Sequence, residues 1–323
     1  MSRFAFTRFL IAVFGLVLFP VCQAQSFTDK PVTIVVPFQA GSPTDIVARA
    51  LGSDLAEIIR SPVIVENRPG ASQTVAGIFV ARAPKDGHTL LLANLPAVVA
   101  ASVQEKLPYA GIRDFAAISH VADVGLVLVT APSIAANDLK EFVSLLRADP
   151  SKYPYFSAGL GSPIHMLTEI FNLEVGVHTT HVPYKGVPSI LPDLMAGRVA
   201  YGFLQVGAME YARAGKIKGL AIVARNRDPV FTETPTMAEA GLSNFSYTVP
   251  YVLVAPKGTP VSIVETLNAA VSRVIGSDQF RTKLKSLGVQ AAEPKGPLQS
   301  AHFIATEEKR WDQIVKATGI KLE

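Results

Sequence analysis

The sequence predicts an α/β protein of two lobes with a ligand cleft between them, and three observations predict it. Hydrophobic residues make up 49% of the 323, ample for a large buried core. From Pro31 onward, short β-branched runs alternate with stretches of helical periodicity, the signature of βαβ units around a largely parallel sheet. The alternation comes in two sets with no Gly/Ser linker, internal repeat or low-complexity tract between them. Two such lobes must be joined by short, ordered crossings, and a cleft between lobes is the usual home of a ligand.

In the first set, residues 32–37 read as a buried strand. Ser42-Pro43-Thr44-Asp45 then supplies an N-cap, a proline at the first helical position and an acidic third residue, a capping box that starts a helix. Val47, Leu51, Leu55 and Ile58 continue it as one apolar face down to Arg60. Residues 63–66 form a second strand, 73–83 a second helix, Pro84-Lys85-Asp86-Gly87 a tight turn and 89–93 a third strand. Strands follow at 115–121 and 126–130, then a helix over 139–147 ended by Asp149-Pro150. The second set runs strand near Tyr155, helix 163–173, strand 178–182, helix 187–195, strand 199–204, helix 207–214 and strand 217–224. Residues 228–244 are irregular, 251–255 a strand, and 261–275 and 298–317 amphipathic helices.

Charge and composition exclude several functions. Thirty Lys and Arg against 26 Asp and Glu give a net charge of +4, no footprint for nucleic acid or anionic lipid. The single cysteine, Cys22, excludes an intrachain disulfide and a cysteine-based zinc site. Arg3 and Arg8 precede an apolar run over 9–21 and then Cys22-Gln23-Ala24, the order of a secretory signal peptide over residues 1–24, cleaved after Ala24. Thirteen apolar residues rise only about 20 Å as a helix, short of a ~30 Å hydrocarbon core. The mature chain is therefore expected to be soluble and exported to the periplasm. Phe19-Pro20-Val21 is a poor context for lipidation of Cys22.

No P-loop, G-x-G-x-x-G, G-x-S-x-G or H-E-x-x-H occurs, so nucleotide cofactors and serine hydrolysis lose their usual signals. His178 and His181 stand three apart on an expected strand, on opposite faces, and cannot share a metal. No cofactor and no metal is expected. Two segments stand out instead: Phe38-Gln39-Ala40-Gly41-Ser42-Pro43-Thr44-Asp45 and Ser157-Ala158-Gly159-Leu160-Gly161-Ser162-Pro163-Ile164-His165. Each joins a strand end to a helix opened by Ser-Pro, where first-turn N–H groups and the helix dipole suit an anion. Neither contains Lys or Arg, so a bound carboxylate would be held by backbone N–H, hydroxyls and His165. Asn94, at the carboxyl edge of the third strand, lies where open α/β sheets place ligands.

At these residues the chain resembles the Bug family, the extracytoplasmic solute receptors of tripartite tricarboxylate transporters. The resemblance spans the mature chain through Val35-Val36-Pro37-Phe38, Thr44-Asp45-Ile46-Val47-Ala48-Arg49, Val65-Glu66-Asn67-Arg68-Pro69-Gly70-Ala71, Lys85-Asp86-Gly87-His88-Thr89-Leu90-Leu91, Gly159-Leu160-Gly161-Ser162-Pro163-Ile164-His165, His181-Val182-Pro183-Tyr184-Lys185-Gly186, Pro235-Thr236-Met237-Ala238-Glu239-Ala240-Gly241 and Ala255-Pro256-Lys257-Gly258-Thr259-Pro260. It implies two Rossmann-like lobes of the periplasmic-binding-protein type II kind, closing over a small organic carboxylate. It places the first, discontinuous lobe at 25–124 and 250–323 and the second at 125–249, with 126–130 and 251–255 at the crossings. The ligand-binding residues it implies are Phe38, Gly41, Ser42, Thr44, Asp45 and Asn94 in the first lobe, and Ser157, Gly159, Gly161, Ser162, His165, Gly186 and Ala200 in the second.

The chain departs from the family pattern at Ser42-Pro43, at Ala200 where an Asp is common, and at Pro250 where a Trp is common. With Ala200 facing the cleft, these imply a ligand whose distal part is hydroxyl-poor or apolar, with no need for an amino group. The function read here is that of a monomeric, non-enzymatic binding protein delivering its ligand to membrane transporter subunits. The alternatives are a receptor serving a sensor kinase and an exported α/β enzyme using Ser162 with His165.

Overall fold

The computed structural model describes residues 30–318 apart from 71–72, 104–109, 225, 229, 246 and 286. The leader with its cleavage point after Ala24, Cys22, and Ala71 at the end of the Val65-Glu66-Asn67-Arg68-Pro69-Gly70-Ala71 motif lie outside the described residues.

The elements run β1 (Val32–Val36), α1 (Pro43–Ile59), β2 (Val63–Asn67), α2 (Thr74–Ala81), β3 (Thr89–Asn94), α3 (Leu95–Val103), β4 (Phe115–Val124), β5 (Leu126–Thr130), α4 (Leu139–Ala148), β6 (Tyr155–Ser157), α5 (Pro163–Val175), β7 (His181–Pro183), α6 (Val187–Met195), β8 (Tyr201–Gln205), α7 (Met209–Arg213), β9 (Lys218–Val223), β10 (Val249–Pro256), α8 (Val261–Ile275), α9 (Asp278–Lys285), β11 (Val289–Ala291) and α10 (Pro297–Thr318). They build two sheets, one of six strands in the order β11-β4-β10-β3-β1-β2 and one of five in the order β7-β6-β8-β5-β9.

Each sheet has the same plan. In the first, β1, β2 and β3 run parallel, and β10 lies antiparallel between β3 and β4. In the second, β6 runs parallel to β7 and β8, and β5 lies antiparallel between β8 and β9. β5 is the first strand of its sheet, and β10 is the first strand formed when the chain returns to the other. β5 enters through Gly125 and starts at Leu126, opposite Gln205 and Val223, the last residues of β8 and β9. β10 starts at Val249, opposite Val124, the last residue of β4. The carboxyl ends of both parallel sets therefore face the crossing at Gly125, which puts the loops after β1, β3, β6 and β8 toward one another. The strands expected at the crossings lie wholly inside the sheets.

Three elements escaped the sequence reading. α3 is apolar almost all round and buried, so no 3.6-residue contrast marks it. β11 has only three residues, and α9 is a short, polar helix anchored by Phe280 and Leu284. The expected 207–214 helix opens with a 3₁₀ turn over Val206–Ala208 and becomes α7. The strand expected over 178–182 begins only at His181, so the alternation argument for His178 and His181 does not apply.

Pro250 sits inside β10, buried opposite Asp123. Pairing with β3 begins at Tyr251, so the missing N–H at 250 breaks no bond on that side. α10 packs on α3 and β4 and reaches α5, tying the lobes together with Trp311 against Tyr247. Beside the Gly125 crossing, Gly288 (φ +67°) of the first lobe lies against Gly207 of the second so closely that a Cβ at 288 would fall 2.8 Å from Gly207 N.

Candidate functional site

In the first lobe, α1 opens as the sequence requires. Ser42 Oγ accepts the Asp45 N–H at 3.3 Å, Ser42 N–H reaches the Gln39 carbonyl, and Gly41 supplies the left-handed residue (φ +79°) that turns the chain into the helix. Asp45 is 2% exposed. Its carboxylate accepts the Gly41 N–H at 2.9 Å, Arg49 Nε at 3.0 Å and Asn67 Nδ2 at 2.9 Å, and Asn67 Nδ2 also donates to the Phe38 carbonyl at 3.0 Å. Burial pushes this carboxyl up, but the donors and the Arg49 charge outweigh it and hold Asp45 below its ordinary value. Asp45 is thus an internal strut binding both ends of the loop, and the Gly41 N–H is consumed by it.

Thr44 and Asn94 converge on one group. Both lie by the hydroxyl of buried Tyr251, which burial pushes up to about 12 against the opposing effect of these two polar side chains. Asn94 Oδ1 also accepts the Ala97 N–H and so caps α3. Its main chain is clamped by the buried Gln73 amide, which accepts from Asn94 N at 3.1 Å and donates to Asn94 O at 2.9 Å. Gln73 does this from a left-handed backbone (φ 77°), a strain of ~1–2 kcal/mol for a residue with a Cβ. Gln73 and Tyr251 carried no motif signal in the sequence.

The second lobe repeats the arrangement. Ser162 Oγ accepts the His165 N–H at 3.2 Å, Ser162 N–H reaches the Gly159 carbonyl, and the Gly161 N–H donates to His165 Nδ1 at 3.1 Å. Gly-Ser-Pro-x-Asp in one lobe and Gly-Ser-Pro-x-His in the other thus fold into one pattern, the glycine N–H taken by the side chain four residues on. In each first turn the proline has no N–H, the third residue bonds the serine hydroxyl, and the fourth bonds the serine carbonyl. That leaves Thr44 N–H and Ile164 N–H as the open donors at the two helix starts.

His165, 5% exposed, is held down to about 4 by burial and by the neighbouring His181 ring; burial lowers His181 too. Nδ1 accepts from Gly161, which puts the proton of neutral His165 on Nε2. The rings of His165 and His181 stack at 4.2 Å, and Tyr155 stacks on His181 at 4.8 Å, with its hydroxyl on Glu169. Ser157 Oγ lies 2.7 Å from His181 Nε2 and accepts the Gly159 N–H. Tyr184 N–H donates to the Ser157 carbonyl, which brings the turn at Gly186, the N-cap of α6, beside the same loop.

One alternative loses its geometry here and one expectation fails. Ser162 Oγ faces the His165 backbone N–H, and His165 Nδ1 is occupied by the Gly161 N–H, so the ring offers Ser162 no basic nitrogen. Ala200 does not face the cleft. It precedes β8 at the end opposite Gln205, 5% exposed, its N–H on the Pro154 carbonyl and its carbonyl on Ala131 N. The selectivity argued from Ala200 falls with it. Among the described residues no cluster of His, Cys, Asp or Glu could hold a metal ion, and no helix is long and apolar enough to cross a membrane. A cavity of about 620 Å³ at Gly125, reaching Arg281, Gly288 and Glu307, includes none of the loop residues described above.

Two α/β lobes with matching helix starts at facing sheet edges, opened by loops that contain no Lys or Arg, define a solute-binding protein. The family model for the tripartite tricarboxylate transporter family receptor matches residues 47–320, and the chain belongs to that family. It is 34% identical to BugT of Bordetella pertussis over 97% of this chain and 98% of that one. Its fold matches the periplasmic binding protein BugD (29% identity, TM-score 0.80, covering 91% and 99% of the two chains). MatC from Rhodopseudomonas palustris with bound malate matches at 36% identity and TM-score 0.79, covering 92% of this chain and all of the other.

Proposed function

We propose that this chain captures a small organic carboxylate by closing its lobes on it and delivers it to membrane transporter subunits, without turning it over. The observation that carries the reading is the mirrored first turn, which offers Thr44 N–H from one lobe and Ile164 N–H from the other, each at a helix N-terminus. A ligand touching both is bound better by the closed arrangement and so shifts the population toward it. Malate in the related MatC agrees with a carboxylate ligand. The lobes divide at 25–124 with 250–323 and at 125–249, and the first-lobe contacts come from Phe38, Gly41, Ser42, Thr44 and Asn94, with Asp45 behind them. Ser157, Gly159, Gly161, Ser162, His165 and Gly186 supply the second. The protein acts as a monomer in the periplasm after removal of residues 1–24.

Calorimetry and small-angle scattering with malate and a panel of small carboxylates test this. Micromolar binding, ~8 kcal/mol, with a smaller radius of gyration is the expected result. Binding with an unchanged scattering profile would refute closure, and turnover of the bound compound would refute the receptor role. The periplasmic protein should begin at Gln25 by mass spectrometry.

A further inference from the structure

We propose that Gln205 is a specificity-determining residue that reads the end of the ligand remote from the carboxylate held at the helix starts; this rests on the receptor reading above. Along β8, Tyr201, Phe203 and Gln205 share one face of the sheet. The first two are closed off by α5 and its neighbours: Tyr201 OH donates to Asn172 Oδ1 at 2.6 Å, and Phe203 meets Phe171 at 6.1 Å and stacks on Phe245 at 5.7 Å. Gln205 is the third in that row and lies at its cleft end, opposite Leu126, with the next residue's N–H fixed on the Gly125 carbonyl at 3.0 Å. It thus shares with the open start of α5 both the face of the sheet and the edge that looks toward the first lobe.

The side chain is half-buried, and its amide makes no hydrogen bond among the described residues. Other polar side chains of this lobe are already engaged, Ser157 on His181 and Gly159, and Thr179 and Asn172 on Tyr201 at the far end of β8. A primary amide has two donors and an acceptor and no charge. At the mouth of a cleft whose anion-type loops carry no cation, it suits an oxygen acceptor, such as a second carboxylate, without repelling it as a carboxylate side chain would. A carboxylate with a methyl in that position would leave the amide unpaired, and a site built to bond a polar group rejects the analogue lacking it.

Calorimetry on the full mature chain with matched pairs tests this, using succinate against butyrate and adipate against hexanoate, in wild type, Gln205→Glu and Gln205→Met. Wild type should prefer the dicarboxylate of at least one pair by tenfold or more. Gln205→Met should cut that preference to threefold or less by weakening the dicarboxylate alone, and Gln205→Glu should reverse it. A melting temperature within a few degrees of wild type shows that the variants fold. A preference unmoved in both variants, with wild type binding, overturns the role of Gln205 and leaves the receptor reading intact. No binding of any of the four compounds by wild type overturns both.

Discussion

Gly288→Ala should destabilise the protein by about 1.5–4 kcal/mol, and Gly207→Ala, on the other side of the same contact, should not. At 288 the backbone is left-handed (φ +67°), which costs an alanine ~1–2 kcal/mol. The added Cβ would stand 2.8 Å from Gly207 N and 3.3 Å from its Cα, against an ordinary contact of 3.4 Å or more. Both opposing atoms are backbone, so the strain is relieved only by moving the lobes apart by about half an ångström, an overpacking of ~1–3 kcal/mol. Stiffening of the unfolded chain returns ~0.4–1 kcal/mol. At 207 the backbone is ordinary and a Cβ would meet the Leu287 carbonyl at 3.6 Å, so only the small unfolded-state gain remains. Urea unfolding of the three proteins decides the matter, with a fall in melting temperature of roughly 4–15 °C for Gly288→Ala as a second readout. If Gly288→Ala is no less stable than Gly207→Ala, the interlobe contact is not the tight fit described.

Three more outcomes are expected. Because Asp45 titrates below 3.8 when folded, its contribution is complete above that value and lost as pH falls through the lower folded one; Asp45→Asn should flatten the acid limb of stability there, measured by urea unfolding. His165 titrates at about 4 when folded against 6.5 unfolded, so only the unfolded chain gains that proton between these values. Stability should be full above pH 6.5 and decline toward pH 4 by at most ~3 kcal/mol, and His165→Gln should lessen that slope. Gln73→Ala removes both bonds to the Asn94 main chain while keeping the left-handed backbone, and should cost about 2–3 kcal/mol by urea unfolding.

The helix starts were legible because their chemistry is local. A serine before a proline can cap only the helix that follows it, and both Ser42 and Ser162 do so. The use of Asp45 and His165 was not legible, since each reaches back to a glycine whose N–H looked available, and only the folded turn shows it occupied. Ala200 was misplaced because the motif fixes the strand but not which of its ends meets the other lobe; that depends on β5 entering antiparallel, a fact of topology. Gln73 and Tyr251 support Asn94 from far along the chain, and no spacing rule links them. Asn67 and His181 did lie within the quoted motifs, and their partners, Asp45 and Ser157, explain why those residue types stand there.

The central position of β10 sets the order in which the chain can mature as it is made. The second sheet is contiguous from β5 to β9, so its strands are all present once Val223 has emerged. The first sheet is not: β3 and β4 are made early but pair through β10, which follows more than a hundred residues after Val124. Until then two apolar strands stand with unpaired facing edges, an invitation to the wrong partner. The lobe that begins the chain is therefore the last to close, and a chaperone holding the nascent protein would find its exposed surface there.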